Sequence, residues 1–208
     1  MIAIVDYGVG NLFSLRSSFK AIGADAVFTS DEKIIKSADK ILLPGVGAFE
    51  DAAKKLRDTG LGEVVISQVK EGKPLLGICL GMQLLFERSF EFGCHEGLGL
   101  IPGDIVPFEG KIDKSLKIPE IGWNQLTLNK ESPLYKDFSG GEFVYFVHSY
   151  YLTADNPSDV SARTFYSVPI DAAVCRDNVS AVQFHPEKSG ATGIQMLRNF
   201  VNMAGGNK

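Results

Sequence analysis

A cysteine acts as a nucleophile where its thiolate is favoured and a base stands near it. Gly77-Ile78-Cys79-Leu80-Gly81 offers the first condition. The apolar run through Pro74-Leu75-Leu76 reads as a strand, and Leu80-Gly81-Met82-Gln83-Leu84-Leu85-Phe86 as the helix that follows. Cys79 then occupies a tight strand-to-helix turn, at a helix N-terminus whose field favours thiolate over thiol. The flanking glycines leave room for strained backbone and for an approaching carbonyl. The base is expected from Val182-Gln183-Phe184-His185-Pro186-Glu187, where alternation marks the end of a strand and Pro186 stiffens the turn. His185 and Glu187 then project toward one site, the carboxylate orienting the imidazole. A free cysteine is as often an inert packing residue, and His-Pro-Glu alone is an ordinary turn. Together the two segments predict a triad of Cys79, His185 and Glu187.

Such a triad performs acyl transfer, in which a carbonyl oxygen becomes an oxyanion and needs aimed donors. The N–H of Leu80 and one from the Val46-Gly47 part of Pro44-Gly45-Val46-Gly47 are the candidates. The plain alternative for that glycine loop is a tight strand-to-helix turn.

The elements that bring these segments together follow from periodicity. Ile2-Ala3-Ile4-Val5 reads as a buried strand, and Leu12, Leu15, Phe19 and Ile22 lie at helical spacing within residues 11–22. Short strands are expected at Ala26-Val27-Phe28 and Lys40-Ile41-Leu42-Leu43, with a short helix capped by Ser30-Asp31-Glu32 between them. Helical patterns over 48–58 and 62–71 precede the Cys79 strand. Repeated strand, glycine loop and helix predict a parallel sheet with its site beyond the carboxyl ends of the strands. After Gly97 the texture turns to strands and turns: 103–108, 122–128, 143–150, 160–166, 172–176 and 181–184, then a helix over 190–203. The expectation is one α/β domain over residues 1–208, an open and mostly parallel sheet flanked by helices with an antiparallel extension.

Composition narrows the function further. With 208 residues, 45% hydrophobic and 22% charged, the chain can bury one sizeable core without disulfide or metal. A net charge of −4 with scattered basic residues argues against nucleic acid. Cys79, Cys94 and Cys175 show no ligand-like spacing, so neither a zinc site nor a disulfide framework is expected, and a reducing cytoplasm is the natural location. The first residues read as a strand without a basic leader, and no apolar run approaches the roughly 18 residues that span a bilayer. Gly8-Val9-Gly10 lacks the third glycine of the dinucleotide fingerprint, Phe13 standing there, and no Gly-Lys-Ser/Thr loop is present. No cofactor is expected.

Gly77-Ile78-Cys79-Leu80-Gly81-Met82-Gln83 and Gln183-Phe184-His185-Pro186-Glu187-Lys188-Ser189 resemble the motifs of the class I triad glutamine amidotransferases. Asp6-Tyr7-Gly8-Val9-Gly10-Asn11, Leu43-Pro44-Gly45-Val46-Gly47, Ile121-Gly122-Trp123-Asn124 and Tyr145-Phe146-Val147-His148-Ser149-Tyr150 extend the likeness over nearly the whole chain. Within that family they resemble the branch of glutaminase subunits that serve imidazole glycerol phosphate synthase in histidine biosynthesis. The resemblance implies glutamine as substrate, hydrolysed to glutamate and ammonia. It gives Gln83 a hydrogen bond to that substrate, Glu91 the α-amino group, and the backbone of His148-Ser149-Tyr150 the α-carboxylate; a surface strand is the plain alternative for the last. His148 itself is expected to be structural.

The resemblance also implies a partner, a (β/α)₈-barrel cyclase subunit that receives the ammonia through a sequestered channel. Asn11, Trp123, Tyr145 and Lys188 are expected near that interface, although Trp123 and Tyr145 read equally as core aromatics and Lys188 as a solvated charge. Three rivals stay open: a paralogous glutaminase feeding another synthase, a free-standing cysteine hydrolase of similar fold, and a non-catalytic subunit that keeps the fold for binding.

Overall fold

In the computed structural model, which describes residues 1–9 and 12–204, the elements run in chain order as follows. The first half is β1 (Ile2–Val5), α1 (Leu12–Ala21), β2 (Ala26–Thr29), α2 (Glu32–Ser37), β3 (Lys40–Leu43), α3 (Phe49–Asp58), α4 (Leu61–Lys70), β4 (Leu75–Ile78) and α5 (Leu80–Gln83). Then come β5 (Phe86–Ser89), β6 (His95–Glu96), β7 (Ile101–Pro107), β8 (Glu120–Gln125), β9 (Thr127–Leu128), β10 (Phe143–His148), β11 (Tyr150–Ala154), β12 (Val160–Tyr166), β13 (Val168–Arg176), β14 (Val179–Val182) and α6 (Gly190–Asn202).

The main sheet has eight strands in the order β2-β1-β3-β4-β14-β13-β12-β9. Its first five strands are parallel and its last three join antiparallel. The expected mostly parallel sheet with an antiparallel extension is therefore present. Alternation along the strands splits the core over the two faces. Ala3, Val5, Ile41 and Leu43 pack toward α2, α3 and α4, while Ile2, Ile4, Leu42 and Leu76 pack with Leu15 and Phe19 of α1 and Met196, Leu197 and Phe200 of α6. Two smaller sheets, β10-β8 and β11-β7-β5-β6, stand beside the main one. No described helix is long and apolar enough to cross a membrane.

Three expectations need correction. The helix after Cys79 lasts one turn, not to Phe86; Phe86 begins β5. Leu84, Leu85 and Phe86 are all fully buried, so the segment has no polar face to turn outward. Its carbonyls bond elsewhere, Leu84 O accepting from Leu98 N–H and Leu85 O from the N–H groups of Leu100 and Ile101. Cys79 thus gains the free N–H groups of a first turn but not the field of a long helix. The segment expected as one strand over 122–128 breaks at Leu126, whose N–H and carbonyl bond to Glu142 and Gly141. Residues 143–150 likewise divide at Ser149 between two sheets.

Candidate active site

β4 and β14 lie side by side, and both predicted catalytic segments leave the sheet at their carboxyl ends. Cys79 follows Ile78 directly, with φ 54° and ψ −116°, a conformation that an L-residue holds only when its surroundings impose it. Its N–H is tied to Val182 O at 2.8 Å and its carbonyl to Gln83 N–H at 3.1 Å. The neighbouring glycines are needed for close approach. A Cβ on Gly81 would stand 2.0 Å from Leu43 O, and one on Gly45 2.7 Å from Gly81 N. Two bare backbones touch there, which sets the Val46-Gly47 loop beside Leu80. The Tyr7 hydroxyl donates to Pro44 O at 2.8 Å and holds the entry to that loop.

His185 is buried, and its backbone is held from both sides. Its N–H donates to Tyr145 O at 2.9 Å, and its carbonyl accepts from Ser189 Oγ at 2.6 Å. Nδ1 stands 2.7 Å from Glu187 Oε1, both side chains at most 3% exposed. Burial alone would lower the imidazole pKa, but interactions with Cys79 and with Glu187 outweigh it and raise the value to about 9. Tyr7 is pushed upward, first by burial and then by the Cys79 charge.

A cleft of about 310 Å³ opens over this pair. It is lined by Val46, Gly47, Cys79, Leu80 and Gln83, together with Glu91, His148, Ser149, Tyr150, His185 and Lys188. Among the described residues no hydrogen bond uses the N–H of Val46, Gly47 or Leu80, three residues that line the cleft. Gly47, at φ +96°, has open space around it. One oxygen of Glu91 accepts from Phe49 N–H at 2.6 Å, so the carboxylate caps α3, whose own N-cap residue is an alanine. The His148 ring nitrogens meet a carboxylate oxygen of Glu120 and the carbonyl of Tyr150, at the start of β11, in keeping with a structural role for the side chain.

Gln183 was not singled out from sequence, yet it lines the cleft beside Cys79. It is fully buried, accepts from Gln83 Nε2 at 2.9 Å, and points its own Nε2 at Cys79 Sγ, 3.8 Å away. Its position two residues before His185, on the same side of the alternating strand, was the available signal. Pro119 and Val147 complete the lining.

Trp123, Tyr145 and Lys188 cluster at the rim. Trp123 is 55% exposed with its ring edge-on to Tyr145 at 6.1 Å, and Lys188 Nζ lies over the Tyr145 ring at 5.7 Å. Trp123 is therefore a surface residue and not a core one. Asn11 lies outside the described residues. A larger groove of about 780 Å³ runs along residues 128–138 but contains none of the chemistry; its Lys130 amine is occupied by the carbonyls of Ser158 and Cys175. Among the described residues no three His, Cys, Asp or Glu side chains come together as metal ligands.

The family model described as glutamine amidotransferase class-I matches residues 3–204. The imidazole glycerol phosphate synthase subunit HisH of Caldanaerobacter subterraneus subsp. tengcongensis is 49% identical over 203 residues, 98% of each chain. That of Syntrophotalea carbinolica is 47% identical over 206 residues, 98% of this chain and all of the relative. A solved structure of PurLQS from Thermotoga maritima shares the fold, with a TM-score of 0.76 over 97% of each chain at 20% identity. By family model, by full-length relatives and by fold, this chain belongs to the class-I glutamine amidotransferases, in the branch of the HisH subunits of imidazole glycerol phosphate synthase.

Proposed function

We propose that the chain is the glutaminase of an imidazole glycerol phosphate synthase, releasing ammonia for a (β/α)₈-barrel cyclase partner in histidine biosynthesis. The observation that carries this reading is the buried Cys79, His185 and Glu187 set beside a cleft that Val46, Gly47 and Leu80 also line. Cys79 thiolate attacks the side-chain amide carbon of glutamine, and the carbonyl oxygen takes the negative charge beside the N–H groups of Leu80 and the Val46-Gly47 loop. The tetrahedral adduct collapses with breakage of the C–N bond, and His185, as imidazolium, gives its proton to the departing nitrogen. A γ-glutamyl thioester and ammonia result. The neutral imidazole then takes a proton from water, which attacks the thioester, so that glutamate leaves and the thiolate and imidazolium return.

Gln83, the free oxygen of Glu91 and the Ser149-Tyr150 backbone hold the amino-acid end of the substrate. The exposed Trp123, Tyr145 and Lys188 rim, beside the same cleft, is the surface offered to the barrel, where ammonia would be passed on before water protonates it. Three free cysteines agree with a reducing cytoplasm. One α/β domain accounts for the whole matched span.

Glutamate release measured for the chain alone, with the barrel cyclase, and with the cyclase plus its nucleotide substrate tests the assignment. Strong stimulation in the last mixture, with imidazole glycerol phosphate formed, is the expected result. Glutaminase activity indifferent to that partner would assign the ammonia to another acceptor. Hydrolysis of substrates other than glutamine by the chain alone would favour the free-standing hydrolase.

A further inference from the structure

Tyr150 faces Pro107 in the β7–β11 ladder, and because the carbonyl of Ser149 just before it bonds to Phe108 N–H, the Tyr150 carbonyl points away from β7. The Tyr150 carbonyl takes its hydrogen bond from Nδ1 of His148, at 2.8 Å. A carbonyl only accepts, so Nδ1 carries the proton. The other ring nitrogen, Nε2, stands 3.2 Å from Oε2 of Glu120, which pairs with His148 across the β8–β10 ladder. Both side chains are at most 5% exposed. The remaining Glu120 oxygen accepts from Asn124 Nδ2 at 3.0 Å, and that amide also donates to Phe165 O at 2.9 Å. Phe108 and Phe146 flank the imidazole at 4.8 and 5.4 Å.

The ring is thus fixed by two polar and two aromatic neighbours, at the point where the chain leaves one sheet for another. Ser149, between His148 and Tyr150, has its carbonyl held by Phe108 N–H at 3.0 Å. A trans peptide directs its N–H opposite its carbonyl, so tying that oxygen also sets the direction of Tyr150 N–H. Residues 147–150 all line the cleft. A carboxylate and an imidazole this deeply buried add little net stability over an apolar pair of the same shape, because desolvation offsets their attraction. Their distinctive contribution is orientation.

We propose that Glu120 is a positioning residue for substrate binding, holding through His148 the Ser149-Tyr150 backbone that receives the α-carboxylate of glutamine. The proposal rests on the reading that this backbone meets that carboxylate. The test uses Glu120→Gln in the complete complex with the barrel partner and compares glutamine with its analogue in which the α-carboxylate is a neutral amide. With glutamine, KM should rise about tenfold, the scale of one charge-assisted hydrogen bond, while kcat stays within about twofold. With the neutral analogue, wild type and variant should show the same KM. An unchanged KM for glutamine, or an equal rise for both substrates, would overturn the positioning role. A wild type that does not distinguish glutamine from the analogue would instead overturn the carboxylate assignment on which it rests. Asn124→Ala, which releases the far oxygen of Glu120 together with Phe165 O and Gln125 N–H, should raise the glutamine KM about threefold and serves where Glu120→Gln does not fold.

Discussion

Replacing Glu187 by glutamine should lower the pH at which His185 loses its proton, and with it the alkaline limit of glutamine hydrolysis. In the native chain burial opposes the imidazolium, yet Cys79 and Glu187 hold its pKa at about 9 against a reference of 6.5. That difference corresponds to roughly 3 kcal/mol in favour of the cation. The Glu187 carboxylate lies 2.7 Å from Nδ1, with both side chains almost wholly removed from solvent, so water screens little of its effect. Glutamine preserves shape and an acceptor oxygen but removes the charge, while the opposing burial remains. The imidazole pKa should therefore fall on the order of 2 units. The chain has three histidines, so the His185 resonance can be followed by NMR across the titration and assigned by its loss in His185→Gln. Glutamate release should fall on the order of 10³-fold, its alkaline limb moving down with the imidazole. The raised folded pKa also sets the sign of the stability effect. The protonated ring stabilises the fold fully below about pH 6.5, and this contribution is lost as pH rises through about 9. The urea-midpoint gap between wild type and Glu187→Gln should accordingly narrow over that window. An unchanged His185 midpoint in a folded Glu187→Gln protein would refute the account.

Tyr7→Phe removes the hydroxyl that serves Pro44 O and leaves a buried carbonyl unpaired. It should destabilise the fold by about 1–3 kcal/mol and lower kcat more than it changes KM, because the Val46-Gly47 loop and not the substrate loses its anchor; a KM effect alone would contradict this. Gly81→Ala places a methyl 2.0 Å from a backbone oxygen, so the Cys79 turn must separate from the Gly45 loop. A destabilisation of roughly 3 kcal/mol or more in denaturant melts is expected, with glutaminase activity lost in whatever protein folds. Trp123→Ala, at a half-exposed position, should leave the thermal midpoint nearly unchanged and weaken binding to the barrel by about 2 kcal/mol in titration calorimetry. A large fall in melting temperature would identify Trp123 as a packing residue instead.

Local chemistry made the triad segments legible. A cysteine between glycines after an apolar run, and a histidine two residues before a glutamate across a proline, are patterns whose geometry is set within a few residues. The parallel half of the sheet was legible for the same reason, since strand, glycine loop and helix recur at short range. Long-range contacts decided the rest. Leu84-Leu85-Phe86 continues a helical pattern, but its carbonyls are taken by Leu98, Leu100 and Ile101, and a strand forms. Ser149 and Leu126 look like the interiors of strands, yet each marks a change of sheet fixed by partners far along the chain. Gln183 beneath the thiol, Tyr7 behind the glycine loop and Glu120 behind His148 lie 104, 37 and 28 residues from the atoms they serve. The sequence by itself determined which side chains could carry the chemistry, because that depends on residue type and near neighbours. Only the tertiary structure decided what holds them in register, because those supports exist only once distant strands are packed against one another.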